Sequence, residues 1–272
     1  MCIRDSSYTP PLKIGEVMVG ESVGTVIESK SKNYAVGDLV TVHQGWQTYI
    51  KTKDSDPSVL KVPESKLNSS VFLGTLGMPG RTAYFGLNYV GKPQPGETLV
   101  VSAASGAVGG VVGQLGKLIG CEVIGIAGGP EKSKYVTEEL KFDQCIDYKN
   151  ENVVEKLEKY CPNGIDIYFE NVGGEITKMV SKFLNKNARV PICGFISKYN
   201  STNIAGEETP FHVLGALNPK PKHRFFVVTE WLNQFEKATS ILHEHVKNGD
   251  IKFRETITCL LYTSDAADEG LG

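Results

Sequence analysis

The chain has 272 residues, 40% of them apolar, and a formal net charge of −2. That length suits one large domain or two modest ones. The near-neutral balance gives no electrostatic footprint for nucleic acid or an anionic membrane. No run approaches the roughly 18 apolar residues of a membrane-spanning helix.

The six cysteines (Cys2, Cys121, Cys145, Cys161, Cys193 and Cys259) are scattered without a close pair. This spacing argues against a disulfide framework or a four-cysteine zinc lobe, and it reads as the reduced thiols of a cytoplasmic protein. Residues 1–6 (MCIRDS) and about 259–269 (CLLYTSDAADE) resemble adapter read-through at the ends of an assembled reading frame. Segments 1–6 and 259–272 are therefore expected to be non-native and are set aside from the fold.

In chain order, residues 7–75 read as a β-rich lobe. Short β-rich runs at 21–28, 39–42 and 48–52 are separated by Gly-Asp and Gly-Trp turns. From about residue 97 strands alternate with helices. The predicted strands are 98–103, 122–127, 144–147, 165–170 and 188–193, and the predicted helices are 107–119, 131–140, 152–160 and 175–184. A last pair follows, strand 224–229 with helix 231–247, and residues 250–258 read as a strand returning to the β lobe. Nearly unbroken apolar strands alternating with helices of this length predict a doubly wound parallel sheet over 76–249.

The segment TLVVSAASGAVGGVVG (98–113) is a strand, a tight turn and a helix start. Gly106, Gly109 and Gly113 give the spacing G-x-x-G-x-x-x-G. Gly106 lets the backbone turn and approach a phosphate. The helix start near Ala107 and Val108 offers free N–H groups and a positive dipole end to a pyrophosphate. Gly109 and Gly113 are expected to remove bulk where helix meets strand. Val108, Val111, Val112, Leu115, Leu118 and Ile119 form the stripe expected to face the sheet. The second strand ends at Ala127, with no acid at the strand end to bind a ribose 2′-hydroxyl, and runs into Gly128, Gly129, Pro130, Glu131 and Lys132. Lys132 sits in a helix first turn against the dipole preference, which favours a ligand role, and NADP(H) is the expected cofactor.

Four motifs in order, LGMPGRTAYFGL (76–87), SAASGAVGGVVGQLGKL (102–118), YFENVGG (168–174) and ICGFISKYN (192–200), resemble the zinc-independent medium-chain reductases. Within them the chain is similar to the prostaglandin reductase-like, or NADP-dependent alkenal double-bond reductase, branch. The resemblance implies an α/β fold, a Rossmann doubly wound parallel sheet plus an incomplete β-barrel-like (GroES-like) catalytic lobe. It also implies a homodimer in the full-length protein, a small-molecule enone or enal substrate, and neither a nucleic-acid nor a membrane partner.

Site roles follow from the same resemblance. Gly106, Ala107, Val108 and Gly109 would hold the pyrophosphate, and Lys132 with Tyr148 the 2′-phosphate. Asn171 would contact the cofactor near its ribose. Cys193, Gly194, Phe195, Ile196, Ser197, Lys198 and Tyr199, with Phe226, Val227 and Val228, would line the nicotinamide end. Taken singly, Asn171 reads as a turn residue, Cys193 as a buried strand residue and Tyr148 as a helix-flanking aromatic.

Zinc-dependent relatives carry Gly-His-Glu at the start of a β-lobe strand, where this chain has Val19, Gly20 and Glu21. Of the five histidines only His243 and His245 have a ligand-like spacing, and two apart on a predicted helix they point in different directions, so no metal is expected. Without a Lewis acid, reduction of a carbon–carbon double bond conjugated to a ketone or aldehyde fits better than carbonyl reduction. Tyr199 is the candidate hydrogen-bond donor to the developing enolate, its other reading being a loop aromatic packed on the cofactor. Met78 and Thr82 border the expected nicotinamide site, and Arg81 stands where relatives often have an apolar residue. The alternatives are a quinone reductase of the same superfamily and a chain that only binds NADP(H).

Overall fold

The computed structural model describes residues 12–199 and 206–258, so segments 1–6 and 259–272 lie outside the described residues. Two sheets organise the chain. The smaller is antiparallel, in the order β1 (Ser22–Thr25), β2 (Leu39–Val42), β3 (Leu60–Lys61), with Ser22 opposite Val42 and Val40 opposite Lys61. Among the described residues this lobe is an open three-stranded sheet. The run 48–52 forms no strand. The chain turns at Gly45 (φ +87°), and Gly45 and Trp46 donate back to Gly20 and Met18. Beyond that turn the Gln44 amide holds Thr52 and Asp56 at 2.7 and 2.8 Å, which gives the backbone a loop rather than a ladder.

The larger sheet is parallel. Its strands are β4 (Thr98–Ser102), β5 (Glu122–Ala127), β6 (Gln144–Asp147), β7 (Ile165–Phe169), β8 (Leu184–Ile192) and β9 (Lys222–Phe225), in the order β6-β5-β4-β7-β8-β9. That order is the doubly wound Rossmann arrangement, reversing direction between β4 and β7. Every residue of β4 is buried, as expected for a central strand covered on both faces. Helices α1 (Met78–Phe85), α2 (Gly109–Ile119), α3 (Pro130–Lys134), α4 (Val153–Tyr160), α5 (Gly174–Ser181), α6 (Pro210–Gly215) and α7 (Phe235–Lys247) complete the chain.

Helix α2 buries Val111, Val112 and Leu115, but Leu118 is 46% exposed and leaves the predicted stripe. Gln114 is buried in its place. Its amide donates to the Lys252 carbonyl at 2.9 Å and accepts from the Lys252 N–H at 2.8 Å. This paired contact fastens the segment 250–258 to α2 at Lys252, and no residue of that segment joins a strand ladder, contrary to the expected return strand. Gly113 makes room for the Phe142 ring rather than for a strand, and Gly116 is the residue seated over Leu99 of β4. The predicted helix 231–247 is broken at Trp231, which leaves helical geometry and stacks on Phe85 at 5.1 Å between centroids. Regular α7 begins only at Phe235.

Gly113→Ala is expected to lower stability by about 1–3 kcal/mol, because a methyl there overlaps the Phe142 ring. Gly24→Ala, in open space, is expected to stay within about 0.5 kcal/mol. Denaturant unfolding of both variants checks the pair.

Candidate cofactor and substrate site

Ligands of a doubly wound sheet lie beyond the carboxyl ends of its strands, at the point where strand order reverses. Here that point lies between β4 and β7. After Ser102 the chain turns through Ala103, a non-glycine at φ +51°, and Gly106 closes the turn on the Ala103 carbonyl at 2.9 Å. A Cβ on Gly109 would overlap that same carbonyl, so glycine alone lets the start of α2 sit on the turn. Gly106 and Ala107 are exposed, Val108 is half-buried and Gly109 is buried. Among the described residues the N–H groups of Ala107 and Val108 have no acceptor. Two orphan donors at an exposed helix start fit a pyrophosphate.

At the next strand ends, Gly128 lies against the Tyr148 ring, where a Cβ would come within 2.8 Å of it. Tyr148 is 48% exposed. Lys132 is exposed on α3 and makes no ion pair among the described residues. An acid does stand nearby: Asp147, at the end of β6. Its Oδ1 accepts from Gly129 N at 2.7 Å and Lys149 N at 3.1 Å, and its Oδ2 accepts from the Asn150 amide at 2.6 Å. These contacts, that from Asn150 foremost, hold its carboxyl below the usual range. Asp147 is only 6% exposed, so its oxygens are committed to shaping the loop.

Beyond β7 and β8 the two following loops stay paired. Cys193 N and Gly194 N donate to the Glu170 carbonyl, Ile196 N to Asn171 and Ser197 N to Val172. Phe195 and Ser197 pack against Gly173. Asn171 reaches across the reversal point, its backbone N–H to Ser102 Oγ and its Nδ2 to the Ser102 carbonyl, both at 2.8 Å. The Tyr199 ring packs edge-on against Phe195 at 5.8 Å. A Cβ on Gly194 would lie 2.6 Å from the Tyr199 hydroxyl, which places that hydroxyl at the carboxyl end of β8.

The other predicted residues of this end are divided. Lys198 pairs with Glu207 at 2.6 Å. Phe226 is a core side chain wedged among Phe169, Gly86 and Trp231, and Val228 is also buried. Val227 alone of the three is exposed. Burial pushes the Cys193 thiol up to about 12, and Cys121 and Cys145 to about 11, so no thiolate is available near neutral pH. The Thr82 hydroxyl is engaged by the Met78 carbonyl at 2.7 Å.

Among the described residues no three His, Cys, Asp or Glu side chains are grouped to hold a metal. A Cβ on Gly20 would overlap the Trp46 indole, so a histidine could not enter there without moving that ring. His243 meets Ser65 at 2.9 Å while His245 meets Asp250 at 3.1 Å, so the pair serves separate contacts. Arg81 is buried. It pairs with Glu21 of the small lobe at 3.0 Å and lies over the Phe235 ring.

Sequence reasoning missed Asp147, Ser102, Thr177 and Glu170. The last is fully buried at the end of β7. The one signal for the two acids is their place at the carboxyl end of a strand.

Comparison with known proteins agrees with this architecture. Residues 107–233 match the family described as zinc-binding dehydrogenase, and residues 1–60 the N-terminal domain of oxidoreductase. The chain is 44% identical to the NADPH-dependent curcumin reductase of Escherichia coli (strain K12), over 93% of this chain and 74% of that protein. It is 40% identical to prostaglandin reductase 1 of Oryctolagus cuniculus, over 90% of this chain and 70% of that protein. The crystal structure of CurA in complex with NADPH from Vibrio vulnificus superposes with a TM-score of 0.83 at 42% identity, covering 98% of this chain and 80% of that one. The chain belongs to the prostaglandin reductase-like branch of the zinc-independent medium-chain dehydrogenase/reductase superfamily.

Proposed function

We propose that the chain reduces the carbon–carbon double bond of α,β-unsaturated ketones and aldehydes with NADPH. The observation that carries this reading is the crevice at the β4/β7 reversal. It combines orphan helix-start donors with a tyrosine hydroxyl at the end of β8, and among the described residues no group of metal-ligating side chains is found. Relatives named for NADPH-dependent curcumin reduction and prostaglandin reduction support the reaction class, and the NADPH complex of CurA supports the cofactor.

In this reading Gly106, Ala107, Val108 and Gly109 hold the pyrophosphate through the backbone. Lys132 and Tyr148 hold the 2′-phosphate over the small residues Gly128 and Gly129. Asn171 orients the nicotinamide ribose, and the segment from Cys193 to Tyr199 walls the nicotinamide end together with exposed Val227. Phe226 and Val228 support that wall from the core.

NADPH, when bound, supplies a hydride to the β carbon of the enone. The protein's part is to stabilise the charge that then develops on the carbonyl oxygen. The Tyr199 hydroxyl donates a hydrogen bond there, and the α carbon takes its proton from solvent. The four described cysteines are free thiols, which suits the reducing cytoplasm. Among the described residues no helix is long and apolar enough to cross a membrane. Strand β9 is a sheet edge ending in half-exposed Phe225, and we read it as the seam of a homodimer.

Three measurements test these readings. NADPH oxidation is expected with a small enone, and Tyr199→Phe is expected to lower its kcat roughly 10-fold or more. Turnover confined to quinones overturns the substrate class, and an unchanged kcat removes the role given to Tyr199. Lys132→Ala is expected to weaken NADPH binding about 10-fold while leaving NADH binding nearly unchanged, as loss of one charge-assisted phosphate contact requires. Equal weakening of both nucleotides refutes the phosphate role. Sedimentation is expected to give a dimer that dissociates when Phe225 is replaced by lysine, and a monomeric parent chain rejects the seam.

A further inference from the structure

Glu170 is a buried carboxyl at the carboxyl end of β7, and nothing in the reaction proposed above uses it. Its side chain is fully enclosed, and no cation pairs with it among the described residues. An enclosed carboxylate is sustained only if nearby donors replace its hydration. Four donors do so here. The backbone N–H groups of Val172 and Gly173 reach Oε1 at 2.8 and 3.0 Å, and the Ser102 hydroxyl, 3.2 Å from the same oxygen and 3.3 Å from the Phe169 carbonyl, shares its one hydrogen between the two. The Thr177 hydroxyl donates to Oε2 through a very short contact.

The two backbone donors fix Oε1 as an acceptor. They belong to the loop leading into α5, so the carboxyl also faces the positive end of that helix. The fully buried Tyr168 phenol completes the enclosure, held well above its ordinary range by burial and by the Glu170 charge.

This cluster is joined to the crevice. Ser102 is the last residue of β4, immediately before the glycine turn, and its hydroxyl also accepts the Asn171 N–H at 2.8 Å. The Asn171 amide donates to the Ser102 carbonyl, while its Oδ1 has no partner among the described residues. One carboxyl therefore gathers the turn after β4 and the loop after β7, and it fixes the asparagine between them. The backbone carbonyl of Glu170 also accepts from Cys193 and Gly194, which ties in the loop after β8.

We propose that Glu170 is a positioning residue. Its buried carboxyl, through Ser102 and the Val172 and Gly173 amides, sets the pose of Asn171 and so the affinity for the nicotinamide half of NADPH. The proposal rests on the reading of Asn171 as a ribose contact. It predicts a split between the two halves of the cofactor. The 2′-phosphate end lies at Lys132 and Tyr148, at the ends of β5 and β6, and does not touch this cluster.

The test is direct binding, without an enone, of NADPH and of 2′,5′-ADP, which carries the 2′-phosphate but no nicotinamide. Glu170→Gln keeps the shape but removes the charge and replaces an acceptor by a donor. It is expected to weaken NADPH about 10-fold or more, with 2′,5′-ADP within about twofold of the parent, as weakening of charge-assisted hydrogen bonds predicts. Ser102→Ala removes the bridge to Asn171 and leaves three of the four donors, so it serves if Glu170→Gln does not fold. It is expected to show the same split. Adding Asn171→Ala to Glu170→Gln is expected to cause no further loss, since both act through one contact. NADPH affinity unchanged in both single variants overturns the proposal. So does equal weakening of NADPH and 2′,5′-ADP, the mark of a general structural role. A parent chain that binds 2′,5′-ADP but gains nothing from the nicotinamide half overturns both this inference and the Asn171 reading beneath it.

Discussion

The start of α2 rests on the turn that ends β4, and much of the molecule follows from that seating. The Ala103 carbonyl occupies the place where a Cβ on Gly109 would be, so helix and strand close to a distance that only glycine allows. Ala103 meets its part of the geometry by adopting φ +51°, an uncommon state for a residue with a side chain. The close seating leaves the Ala107 and Val108 N–H groups without an acceptor among the described residues, beside the reversal of strand order. Deeper in the helix, Gly116 lets α2 sit close over Leu99 of the sheet, and Gly113 leaves room for the Phe142 ring. Helix α2 also carries Gln114, whose two bonds to Lys252 fasten the chain returning from α7. Helix α2 is thus packed against the sheet on one side and tied to a distant segment on another.

The sequence was most readable where one local rule decides the outcome. Strands β5 and β6 have the predicted limits; for β5 the reason is plain, since all of it after Glu122 is buried and a buried parallel strand must be apolar nearly throughout. Helix α4 starts one residue after Asn152, which caps it by accepting from Val154 and Glu155. Legibility failed where a long-range contact overrode the local pattern. Trp231 looks like a helical residue, but stacking on Phe85 removes it from the helix. The run 48–52 has β propensity, but Gln44 offers its side chains a competing set of partners. Residues 250–258 have strand composition yet pair through one glutamine side chain rather than through a ladder.

The candidate site divides in the same way. The glycine loop was legible because the N–H groups of a helix start need no side chains to act. Asn171 was reached only through family resemblance, since an isolated asparagine in a loop is first a turn residue. Its reach across β4 is set by Ser102, some 69 positions earlier in the chain, a pairing that no local spacing encodes. Phe226 and Val228 show the opposite failure. Their motif lies in the right region, but the backbone alternation turns both side chains into the core and leaves Val227 facing out.

Asp147 alters the form of the cofactor argument. The end of β5 carries no acid, yet one lies close by, at the end of the adjacent strand β6. What matters is where its lone pairs are spent. Gly129 N, Lys149 N and the Asn150 amide take up both oxygens, and a buried carboxylate so occupied has little capacity left for a ribose hydroxyl. By drawing in the Gly129 N–H, Asp147 also shapes the glycine loop that leads into α3 and Lys132. An acid near this point need not oppose a phosphate, provided its charge is turned inward and held by the backbone. Nucleotide selectivity then depends on the direction of a carboxylate as much as on its presence, and a sequence states only the latter.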